Sequence, residues 1–71
     1  MIYKTQFLVL KDNLHLFENK INEVASKYHC TITQKIKEEK ELNLKIKLKI
    51  EYNDYKNDIL LMILEELSQS I

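Results

Sequence analysis

Glycine, proline and tryptophan are absent from this 71-residue chain, and cysteine occurs once, at Cys30. Arginine is missing as well, so all eleven basic residues are lysine. Each absence closes off a class of chemistry. Without glycine there is no loop whose bare backbone can cradle a phosphate, and no Asn-Gly pair to make a two-residue hairpin turn. With one cysteine there is no intrachain disulfide, and a lone thiol suits a reducing compartment. Without arginine there is no guanidinium fork to grip phosphate or guanine by two bonds at once.

Net charge of one sign is also lacking. Eleven acids balance eleven lysines, so no overall field steers the chain toward nucleic acid or an anionic membrane. The longest apolar run, Ile59 to Leu64, is six residues, whereas a spanning helix needs about 20. The start of the chain lacks the basic stretch and apolar run of a signal peptide. The expectation is a cytoplasmic protein with no membrane association, no cofactor and no small-molecule substrate.

The length allows one domain, residues 1–71. A domain of this size buries only about 60% of the surface its unfolded chain exposes. Small scaffolds therefore need a staple, such as disulfides, a metal or a partner chain. The composition leaves oligomerisation as the compatible choice. Lysine, isoleucine, asparagine and tyrosine are abundant while alanine occurs once, at Ala25. That bias points to AT-rich coding, of the kind found in phages and plasmids.

What is present is periodicity. Residues 2–10, IYKTQFLVL, are rich in β-branched and aromatic types and read as a strand, with Tyr3, Thr5, Phe7 and Val9 turned inward. Residues 13–28 carry Leu14, Phe17, Ile21, Val24, Ala25 and Tyr28 three or four apart, the stripe of an amphipathic helix, with Asp12 or Asn13 as its cap. His29 is expected to end that helix, since histidine tolerates the left-handed conformation better than most residues. Residues 30–37 alternate again, placing Cys30, Ile32, Gln34 and Ile36 on one face and Thr31, Thr33, Lys35 and Lys37 on the other. The run EEKE at 38–41 is expected to form the turn.

Residues 42–52, LNLKIKLKIEY, alternate without a break. Leu42, Leu44, Ile46, Leu48, Ile50 and Tyr52 point one way; Asn43, Lys45, Lys47, Lys49 and Glu51 point the other. That is the signature of an antiparallel sheet covered on one side only. A last helix follows, capped by Asn53 or Asp54, with a stripe of Leu60, Ile63, Leu64, Leu67 and Ile71 and with Ile59 at its margin.

These elements predict an α+β fold, a two-layer β-α-β-β-α sandwich. A helix crossover between the first two strands and a hairpin between the last two give a three-stranded, mostly antiparallel sheet of order 1-3-2. Both helices lie on one face, as in half of a ferredoxin-like sandwich, a superfold comparison that carries no function. The outer edge of the first strand is left open, and open edges are templates for strand addition.

Two surfaces are candidates for function. Leu8 and Leu10 on the first strand, Leu16 on the first helix, and Leu61 and Met62 on the second all fall off the core-facing stripes, so they are candidates for an interaction patch. Lys35, Lys37, Lys45, Lys47 and Lys49 line the open sheet face and are candidates for polyanion binding. No aromatic residue interleaves them for base stacking, and alternating lysine also serves to keep a sheet face wet.

Catalytic chemistry finds little footing. His15, His29 and Cys30 do not have the number or spacing of zinc ligands, and nothing in the sequence supplies Cys30 with a base. Glu65 and Glu66 diverge on a helix surface rather than converging on a cleft. The function expected is a small non-enzymatic protein-interaction module. It would be homodimeric or bound to a larger protein, in the manner of a phage- or plasmid-encoded accessory protein or inhibitor of a host enzyme. The alternative is a nucleic-acid-binding protein using the lysine face.

Overall fold

The unbroken alternation at 42–52 becomes the central strand of the sheet. The computed structural model describes residues 1–53 and 58–69. In chain order these form β1 (Ile2–Leu10), a short 3-10 turn (Lys11–Asn13), α1 (Leu14–Lys27), β2 (Thr31–Glu39), β3 (Asn43–Glu51) and α2 (Asp58–Ser68). The fold is α+β with a three-stranded sheet of order β1-β3-β2, and β3 is antiparallel to both neighbours.

The core lies on the inner face of that sheet. Leu44, Ile46, Leu48 and Ile50 of β3 are buried beneath Phe17, Ile21 and Val24 of α1 and Ile63 and Leu67 of α2, with Val9 of β1 joining them. The rings of Phe7 and Phe17 meet at 5.6 Å in a tilted arrangement, a favoured aromatic geometry. Leu14, Tyr28, Ile59, Leu60 and Leu64 pack at the margin, as their places on the two helical stripes predict. The cap residue Asp54 and Ile71 lie outside the described residues. No helix among those described is long and apolar enough to cross a membrane.

The end of α1 shows how the chain manages without glycine. The Cys30 N–H donates to the Ala25 carbonyl at 3.0 Å and the Tyr28 N–H donates to the Val24 carbonyl at 3.0 Å. The first bond is the six-to-one closure of a helix ended by a left-handed residue. His29 supplies that residue at φ 52°, the position glycine usually occupies.

Three expectations are corrected. Neither Asp12 nor Asn13 caps α1 by its side chain: Asn13 sits at φ −101°, ψ 3° with no side-chain cap bond, away from the extended geometry a capping side chain needs. The preceding 3-10 turn instead lets the Leu14 N–H bond the Lys11 carbonyl. Second, β2 runs on to Glu39, so the turn narrows from 38–41 to 40–42, closed by the Lys40 N–H donating to Asn43 O at 2.8 Å. Third, Leu42 is 70% exposed, because it sits in the turn while its carbonyl accepts from Lys11 N–H. Ile36 keeps the expected face, inward opposite Ile46, yet is 50% exposed. The 14 residues of α1 span only about 21 Å, whereas the nine residues of β2 reach about 30 Å. The far end of β2 therefore projects beyond the helical cover.

Candidate functional site

The outer face of the sheet is organised by the two strand registers. Across β1, β3 and β2 its rows read Ile2–Glu51–Thr31, Lys4–Lys49–Thr33, Gln6–Lys47–Lys35 and Leu8–Lys45–Glu38. Lysine is thus directly opposite lysine twice, at Lys4–Lys49 and at Lys35–Lys47. The sequence reading of the polyanion face omitted Lys4, which stands alone among the apolar residues of β1. Its place opposite Phe7 and Val9 in the alternation, combined with strand order 1-3-2, is the signal that finds it.

The ladder geometry fixes how close these pairs are. Met1 and Tyr52 exchange backbone bonds at one end of the β1–β3 ladder, at 2.7 and 2.9 Å, and Lys11 N–H reaches Leu42 O at the other. The odd-numbered residues of β1 are therefore the hydrogen-bonded ones. Lys4–Lys49 is a non-hydrogen-bonded pair, with Cα atoms about 4.5 Å apart and side chains at their closest. Lys35–Lys47, on the other side of β3, is a hydrogen-bonded pair at about 5.5 Å.

Charge compensation on this face is partial. Lys49 has the Glu51 carboxylate at 3.5 Å, and Lys45 stands opposite Glu38. Lys4, Lys35 and Lys47 have no ion-pair partner among the described residues. A bulge between Ile36 and Glu38 makes Lys37 the extra residue of β2; it lies at the end of the row that Glu38 and Lys45 neutralise, not beside the Lys4–Lys49 pair. Lys4, Lys35, Lys47 and Lys49 together with Thr33 line a shallow hollow of about 220 Å³. A second hollow of about 390 Å³ lies nearer the turn, between Leu8, Lys45, Asn43 and Glu38.

The same parity describes the edge of β1. The even-numbered residues Ile2, Lys4, Gln6, Leu8 and Leu10 turn their N–H and C=O groups away from β3, and β1 is an edge strand. Leu8 is 57% and Leu10 49% exposed, both on the outer face.

Leu16, Leu61 and Met62 are exposed as well, but in the helical layer, on the opposite side of the sheet from Leu8 and Leu10. The five apolar candidates therefore fall on two sides of the sheet, not in one patch. Glu66 of α2 meets Lys20 and Lys27 of α1.

The helix seam holds the most connected polar group. Glu66 accepts from the Tyr28 hydroxyl and from Lys27 Nζ at 3.1 and 3.3 Å, with Lys20 Nζ at 3.8 Å. The Tyr28 bond, then the Lys27 bond, holds the Glu66 carboxyl below the usual glutamate range. The bond to Glu66 raises both Lys27 and Tyr28. These groups tie the two helices together. Burial pushes the Cys30 thiol up, which keeps it protonated and a poor nucleophile. Among the described residues no group of three His, Cys, Asp or Glu side chains is placed to hold a metal ion. No protein-family model, curated protein or solved structure matches the chain.

Proposed function

We propose that the chain is a non-enzymatic protein-interaction module whose partner is a second copy of itself, joined edge to edge through β1. The observation that carries this reading is the open edge, nine residues long, without proline or bulge, with the apolar Leu8 and Leu10 exposed beside it. Natural sheets blunt such edges with charge, proline or bulges; here Lys4 is the single charge on the strand.

The register of that pairing follows from symmetry. Gln6 is the middle residue of β1, so a two-fold axis at Gln6 is the arrangement that pairs every residue of the strand. It sets Ile2 opposite the partner's Leu10 and Lys4 opposite the partner's Leu8, and it keeps the two copies of Lys4 apart. All five residues whose N–H and C=O groups turn away from β3 then pair with the same set in the partner at hydrogen-bonding positions, Gln6 with its own equivalent. The product is a continuous six-stranded sheet that also shields the half-exposed Tyr3 and Phe7 of each copy. A reducing, cytoplasmic setting fits the unpaired Cys30. The AT-rich composition and minimal size fit a phage- or plasmid-borne accessory or inhibitor protein, whose larger host partner would add to the same module.

Light scattering across a concentration series tests the association, and a cysteine scan tests the register. In a Cys30→Ser background, Gln6→Cys is expected to give a disulfide-linked dimer under mild oxidation. Lys4→Cys should link to Leu8→Cys in a mixture but not to itself. A monomeric mass at every concentration would remove the reading. A dimeric mass without the Gln6 cross-link would move the interface elsewhere.

A further inference from the structure

We infer that Lys4, Lys35, Lys47 and Lys49 form a binding site for the phosphate backbone of single-stranded nucleic acid. Lysines that merely keep a sheet face wet are best alternated with acids. The neighbouring row does this, with Lys45 opposite Glu38. The Lys4–Lys49 and Lys35–Lys47 pairs do the opposite, placing like charges directly across adjacent strands, an arrangement that destabilises a sheet. An anionic ligand relieves that repulsion, so the bound state gains what the free state lacks.

Shape and composition select the ligand. The positive groups follow a line along β3, widened on either side by Lys4 and Lys35, and the hollow they surround is shallow. A linear polyanion matches that layout, and a small anion in an enclosed cavity does not. The exposed leucines of this face, Leu8 and Leu10, stand toward the turn end of β1 rather than among the four lysines. A membrane surface would call for apolar anchors inside the cluster. With neither arginine nor an aromatic side chain in the cluster, contacts go to phosphates and not to bases. Binding is therefore indifferent to sequence and steeply dependent on salt. The neutral total charge hides this site, where Glu51 at 3.5 Å from Lys49 is the one acid in ion-pair contact with the four lysines among the described residues.

The test is fluorescence anisotropy with a labelled single-stranded DNA of about 16 nucleotides, a length that spans the site of one small sheet domain. Four phosphate contacts predict a slope of log K against log salt of about −2.8, which is roughly a 50-fold loss between about 50 and 200 mM salt. The double variant Lys47→Gln/Lys49→Gln should bind more weakly, with the slope halved to about −1.4. Its urea midpoint should be no lower than that of the parent, because repulsion has been removed. Lys11→Gln, outside the cluster, should leave the slope unchanged. Absence of binding at about 50 mM salt would overturn the assignment, as would a slope the double variant does not alter. Binding to phosphatidylserine vesicles that the oligonucleotide cannot displace would overturn it in favour of a membrane surface.

Discussion

Reversing the charge of Lys47 should make the protein more stable, although the residue sits at the centre of the sheet. Lys47 stands between Gln6 and Lys35 in its row and between Lys45 and Lys49 along β3, so these four direct neighbours are neutral or positive. Cross-strand pairs contribute about 0.2–1 kcal/mol, with sign set by charge. Lys47→Glu turns the Lys35 pair from repulsive to attractive, a swing of roughly 0.5–1 kcal/mol. The shorter side chain gives back part of this, because the lysine stem covers apolar surface. A net gain of about 0.5 kcal/mol remains, equivalent to roughly 2–4 °C in midpoint for a domain this size. Urea titrations of the parent, Lys47→Gln and Lys47→Glu at low salt should give rising midpoints in that order, with equal slopes. At about 1 M salt, where the screening length falls to about 3 Å, the electrostatic gain should vanish and leave both variants at or below the parent, by the packing the lysine stem supplied. A Lys47→Glu protein less stable than Lys47→Gln at low salt would refute the reasoning, and so would a gain that ignores salt.

Two further outcomes follow from the helical layer. His29→Gly should stabilise the protein by about 0.5–1 kcal/mol, since His29 holds a left-handed backbone that costs a side-chain-bearing residue about 1–2 kcal/mol and glycine far less; thermal melts would read it, and an unchanged or lower midpoint would contradict it. The Glu66 seam should set the pH range over which the helices stay together. Glu66 is lowered in the folded state, so its contribution is present above the ordinary glutamate range and is lost as pH falls through the lowered value. Lys27 and Tyr28 are raised, so theirs is present below their ordinary values and is lost as pH rises through the raised ones. The stability difference between the parent and Glu66→Gln, followed by denaturation against pH, should be largest near neutrality and shrink on both sides; a flat difference would contradict it.

Much of the fold was legible because each element carries its own period. The alternation of 42–52 identifies β3 and its buried face, and the stripe from Leu14 to Tyr28 identifies α1. His29 announced the helix end, in a chain with no glycine to take the role. Ile36 and Leu42 were less legible: alternation says which way a side chain points but not whether a helix lies above it. The bulge at Lys37 carries no sequence signal either, and it shifts Glu38 opposite Lys45.

Both candidate surfaces depended on information that crosses the chain. The five exposed leucine and methionine positions were readable one by one as lying off their stripes, but the layers of the sandwich separate them. The lysines of β3 were equally plain, yet the opposed pairs involve Lys4 and Lys35, respectively 45 and 12 positions from their partners in sequence.

The amino-acid sequence by itself determined the elements, their order, their buried faces and the strand order. Those follow from local periodicity, from the left-handed tolerance of one residue and from the few ways that short connections can join strands and helices. Only the tertiary structure decided register, reach and neighbourhood: which lysine faces which, where the helices stop covering the sheet, and which backbone groups of β1 stay unpaired. These are properties of pairs of segments, set by hydrogen-bond parity and by the unequal rise of helix and strand, and no single stretch of chain contains them.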